Sequence, residues 1–77
     1  MVTVFTSSGC SYCELVLSYL TKHNIPFQEK NISENHQFFK EWKDLKVLGT
    51  PTTHFEGNIV VGFNGDELKD LIHKVNK

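Results

Sequence analysis

The alternation of apolar and polar residues divides the chain into seven elements. Val2-Thr-Val-Phe-Thr6 is a β-branched run that predicts a strand, with Val2, Val4 and Phe5 facing inward. Over residues 11–23 the period changes, and Leu15, Val16, Tyr19 and Leu20 recur at helical spacing. Asn24, with Pro26 two residues on, stops that helix. Residues 27–32 read as a polar strand whose Glu29 and Lys30 suit a sheet edge, where charge discourages unwanted pairing. Ser33 is the expected N-cap of a second helix, with Phe38, Phe39, Trp42 and Leu45 as its apolar stripe. Gly49-Thr-Pro51 breaks the pattern. Residues 52–55 and 59–63 then flank Glu56-Gly57-Asn58, a hairpin signal with glycine in the turn. Asn64 caps a last helix and Glu67 completes a capping box; Leu68, Leu71, Ile72 and Val75 give that helix its buried face.

The order is βαβαββα, which predicts an α/β domain. The crossover through the first helix makes strands one and two parallel and right-handed, and the hairpin makes strands three and four antiparallel. A four-stranded mixed sheet flanked by three helices follows. No repeat, linker or low-complexity tract interrupts residues 1–77, so they read as one domain. In such sheets ligands meet the carboxyl ends of the parallel strands, and the loop to Cys10 leaves the carboxyl end of strand one.

That loop holds the candidate chemistry, Cys10-Ser-Tyr-Cys13. Both thiols fall at the first turn of a helix, where unpaired backbone N–H groups and the positive end of the helix dipole meet. A thiolate there is stabilised, and its pKa is expected below the ~8.5 of a free cysteine. Cysteines three apart on a helical turn share a face and can close a disulfide with little movement. One can attack and the other can resolve.

Composition narrows the partners. The 77 residues carry a net charge of −1, and all eight basic residues are lysine. Without arginine there is no bidentate reader of phosphate or guanine, so nucleic acid is not an expected partner. The Ile59–Phe63 apolar run is far too short to span a bilayer, and Met1 leads straight into the first strand. No membrane association and a reducing cytoplasmic setting are therefore expected. In that setting a cysteine pair is more often catalytic or metal-binding than structural.

Each signal has a plainer reading. The cysteines would supply half of a zinc site, but His23, His36, His54 and His73 lack the spacing of a second ligand pair. Phe38, Phe39 and Trp42 are expected in the core rather than in a binding stripe. His54 is expected to be a packed strand residue, and Asp66 to be first an acid favoured at a helix start.

Three segments together carry a resemblance: Cys10-Ser-Tyr-Cys13, Gly49-Thr-Pro51 before strand three, and Ile59-Val-Val-Gly-Phe-Asn-Gly-Asp-Glu-Leu68. Across essentially its whole length the chain resembles the glutaredoxins, in particular the short bacterial glutaredoxin-like proteins that also resemble ribonucleotide-reductase-linked redoxins. The resemblance implies a thioredoxin fold and a cis Thr50–Pro51 peptide facing the cysteine pair. It implies catalysis by Cys10 and Cys13, joined as a redox disulfide. Binding of substrate or glutathione would fall to Tyr12, Thr50, Pro51, Asn64, Gly65 and Asp66. The implied activity is reduction of protein disulfides or glutathione mixed disulfides by a monomer, with no bound cofactor and glutathione as co-substrate. Two positions depart from the pattern. Ser7 stands where glutaredoxins usually place Lys or Arg, and Gly62-Phe-Asn-Gly-Asp66 replaces the usual Gly-Gly-Cys-Asp segment. These departures raise thioredoxin reductase as an alternative electron donor. The alternative role is an iron–sulfur-binding glutaredoxin, with Cys10 plus glutathione bridging a dimer, because Ser11 follows the first cysteine where Pro is usual.

Overall fold

A computed structural model describes residues 1–76. Its elements are β1 (Val2–Thr6), α1 (Ser11–Lys22), β2 (Phe27–Asn31), α2 (His36–Asp44), β3 (Thr52–Phe55), β4 (Asn58–Val61) and α3 (Gly65–Val75). The sheet order is β2-β1-β3-β4. β1 and β2 are parallel, whereas β1–β3 and β3–β4 are antiparallel. The α/β architecture, the element order and the edge position of β2 match the sequence reading.

The two faces of the sheet are covered unequally. Val2 and Val4 of β1 point to one face, where Val16 and Leu20 of α1, Val60 of β4 and Leu68 and Leu71 of α3 close a continuous core. Phe5 points to the other face, which α2 covers alone. There Lys30 lies over the rings of Phe5 and Phe38 and pairs with Glu41 at 2.6 Å.

This asymmetry corrects the reading of α2. No residue of α2 is buried, although its aromatic stripe has helical spacing. Phe39 is exposed and Trp42 half-buried. A single helix on a sheet face has no neighbour to cover its flanks, so its stripe stays open to water. The cap also differs. Asn35, not Ser33, is the N-cap, and its Oδ1 accepts from the amides of Gln37 and Phe38. Asn31, Ser33 and Asn35 all compete for local amides, and Ser33 instead accepts from the Ser8 amide at 3.1 Å.

On α1, Cys13, Val16 and Leu20 form the buried stripe, while Leu15 is 47% exposed. The helix stops as expected. Asn24 adopts φ 57°, its amide donates to the Thr21 carbonyl, and the Ile25 amide reaches back to the Leu20 carbonyl. The hairpin is tighter than expected. Glu56 and Gly57 alone form the turn, both with positive φ, and Phe55 pairs with Asn58. β4 ends at Val61, and Gly62 turns away at φ 79°. Asn64 caps α3 by accepting from the Glu67 amide at 3.1 Å.

Candidate active site

β1 ends at Thr6, and four residues later the chain has turned into α1. Gly9 supplies the turn at φ 74°, where a side chain would strain the backbone. Cys10 is then the N-cap of α1, and its Sγ accepts from the Cys13 amide at 3.1 Å. Cys10 and Cys13 are joined as a disulfide, with Cα atoms 5.3 Å apart. The two sulfurs differ in access. Cys13 is 3% exposed against the core, whereas Cys10 is half-buried at the rim.

The third component comes from the loop before β3. The β1–β3 register pairs Phe5 with Thr52. Continued outward by two residues, that register sets Ser7 opposite Thr50. Their hydroxyls are 2.7 Å apart, and Thr50 Oγ1 lies 4.0 Å from Cys10 Sγ. The Thr50–Pro51 peptide is cis, and Pro51 is buried. Trp42 fastens this loop from the far side. Its Nε1 donates to the Gly49 carbonyl and to Thr52 Oγ1, each at 3.2 Å, and Thr52 Oγ1 donates to the Gly49 carbonyl at 2.6 Å. Trp42 is thus a support for the site that the periodicity of α2 did not reveal.

Other expected site residues stand further out. Tyr12 is 61% exposed, beside Cys10 on the outer surface of α1. Asn64, Gly65 and Asp66 are exposed at the start of α3, and the Oδ1 of Asn64 is engaged in capping. This segment connects to the site through Gly62, whose amide donates to the Pro51 carbonyl at 2.7 Å. Phe63 packs edge-on against Tyr19, their ring centroids 6.0 Å apart. On the opposite flank of Cys10 a cleft of about 480 Å³ runs to β2, lined by Ser7, Ser8, Cys10, Cys13, Glu14, Glu29 and Glu34 among others. Among the described residues no three His, Cys, Asp or Glu converge to hold a metal ion, and no helix is long and apolar enough to cross a membrane.

A four-stranded mixed sheet with a disulfide at the start of its first helix defines a redox protein of thioredoxin-like fold. The solved structure of the thioredoxin-like protein BC3987 superimposes with a TM-score of 0.85, covering 92% of this chain and 99% of that one at 25% identity. The glutaredoxin family model matches residues 2–60, and the chain belongs to the glutaredoxin family. It is 33% identical over 75 residues to a glutaredoxin-like 8.6 kDa protein in the rubredoxin operon of Clostridium pasteurianum, covering 96% of this chain and 100% of that protein. It is 31% identical over 71 residues to the glutaredoxin-like protein NrdH of Lactococcus lactis, covering 92% and 99%. The chain is a glutaredoxin-like redox protein, and its Cys10–Cys13 pair fits thiol–disulfide exchange.

Proposed function

We propose that the chain is a dithiol oxidoreductase that reduces protein disulfides or mixed disulfides through Cys10 and Cys13. The observation that carries this reading is the difference between the two sulfurs: Cys10 is reachable and accepts an amide hydrogen bond, while Cys13 is buried behind it. In the reduced protein the Cys10 thiolate attacks one sulfur of the substrate disulfide. A mixed disulfide forms, and the other substrate sulfur leaves as a thiolate. Cys13 loses its proton and attacks Cys10 Sγ, which releases the second substrate thiolate and closes the Cys10–Cys13 disulfide. Two electrons have then passed to the substrate. Thr50 and Pro51 border the sulfur and Tyr12 shapes the outer rim, while Asn64, Gly65 and Asp66 lie on the side where the rest of a substrate or a glutathione would extend.

Two electrons must return from a donor. Ser7 offers no cation for a glutathione carboxylate, and Phe63 is packed on Tyr19 at the position where a smaller residue would leave room. Both features support a flavoprotein thioredoxin reductase over glutathione. The protein is proposed to act as a single-domain cytoplasmic monomer with no bound cofactor. One assay tests donor and activity together. A disulfide substrate is reduced either with NADPH and thioredoxin reductase or with NADPH, glutathione and glutathione reductase. Turnover in the first mixture that is lost in the Cys10→Ser chain supports the reading; equal turnover by the Cys10→Ser chain overturns it.

A further inference from the structure

Cys10 borders a cleft whose charged side chains are all carboxylates. Its cleft is lined by Glu14 on α1, Glu29 on β2 and Glu34 in the turn after β2, and by no lysine or histidine. The loop on the other flank, residues 49–51, carries no titratable group. Beyond Gly62 the first turn of α3 adds two more carboxylates, Asp66 and Glu67. Like charges raise the free energy of a thiolate, which leaves the positive end of the α1 dipole and hydrogen-bond donors at the sulfur to stabilise it.

Two such donors are in place at the sulfur. One is the Cys13 amide. The other is the Thr50 hydroxyl, 4.0 Å from Cys10 Sγ, but it is shared with Ser7 at 2.7 Å, a pair in which either oxygen can donate. A hydroxyl carries a single proton. If Thr50 gives it to Ser7, Cys10 receives nothing from Thr50 and keeps only the Cys13 amide. If Ser7 donates to Thr50, the Thr50 proton is free to point at sulfur. A disulfide sulfur is a weak acceptor, whereas hydrogen bonds to an ionised acceptor are shorter and stronger.

We propose that Ser7 is a positioning residue for the Cys10 thiolate: in the reduced protein it donates to Thr50 Oγ1, and Thr50 in turn donates to Cys10 Sγ. This relay rests on the reading of Cys10 as the attacking thiolate. It moves no proton between residues. Both hydroxyls only rotate, and the thiol's own proton leaves to solvent when the thiolate forms. When the disulfide closes, Thr50 is free to turn back and donate to Ser7. The β1–β3 register that sets Ser7 opposite Thr50 builds the relay into the fold.

The test is the pH titration of the thiolate's ultraviolet absorbance in the Cys13→Ser chain, where Cys10 is the one thiol left. Ser7→Ala is expected to raise the midpoint by about half to one pH unit, as removing support from a charge-assisted hydrogen bond should. Thr50→Val is expected to raise it at least as much, and the double variant no further than Thr50→Val alone. Ser7→Thr and Thr50→Ser keep the hydroxyls and are expected to keep the midpoint, which separates the relay from a loss of packing. An unchanged midpoint in Ser7→Ala overturns the proposal, and so do fully additive shifts. The titration needs no substrate, so its result is independent of turnover. A chain that titrates as expected but reduces no disulfide would sink the proposed activity and leave the relay standing.

Discussion

The indole N–H of Trp42 donates to the Gly49 carbonyl, so α2 holds the loop that brings Thr50 to Cys10. The helix that buries none of its residues is nevertheless tied to the reactive sulfur through one side chain. Trp42→Phe keeps most of the ring and removes the donor. Gly49 retains its bond from Thr52, so the expected loss of stability is about 1 kcal/mol, read as a lower urea midpoint. Disulfide reduction is expected to slow several-fold because the loop loosens beside Cys10. An unchanged rate and midpoint would mean that α2 does not support the site.

The register of α1 can be checked with two leucines. Leu20 is fully buried in the core, whereas Leu15 is nearly half exposed. Leu20→Ala is expected to cost ~2–5 kcal/mol, and Leu15→Ala to stay within ~0.5 kcal/mol. Equal costs in denaturant unfolding would place the helix in a different rotation.

The electron donor has its own test at position 7. Ser7→Lys places a cation where, on the proposed reading, glutathione would present a carboxylate. Such an exposed pair is worth only ~0.2–1 kcal/mol. The KM for glutathione is therefore expected to fall a few-fold, and the gain to shrink as salt is added. A parent chain already rapid with glutathione, and indifferent to Ser7→Lys, would show that this position does not govern donor choice.

Much of this was legible in the sequence because local chemistry decides it. The cysteine pair follows a strand and opens a helix, and both features follow from residues 2–23 alone. Asn64 is the expected cap and accepts from the Glu67 amide. The N-cap of α2 was not legible because three capping residues stand within five positions, and Ser33 is drawn off by the Ser8 amide. Periodicity showed that α2 has an apolar face, but not that one helix alone would cover that side of the sheet. It also marked Leu15 with the core, although α1 turns it outward. Least legible was the pairing of Ser7 with Thr50. It arises from the register between β1 and β3, two strands separated by most of the chain.

The proposed division of labour is that Cys10 attacks and Cys13 resolves. It is tested most directly by mass spectrometry of each single Cys→Ser chain after incubation, in reduced form, with a disulfide substrate. The Cys13→Ser chain is expected to accumulate a mixed disulfide on Cys10, because no thiol remains to displace the substrate. The Cys10→Ser chain, whose remaining thiol is buried, is expected to form none. A stable adduct on Cys13, with none on Cys10, would contradict the account.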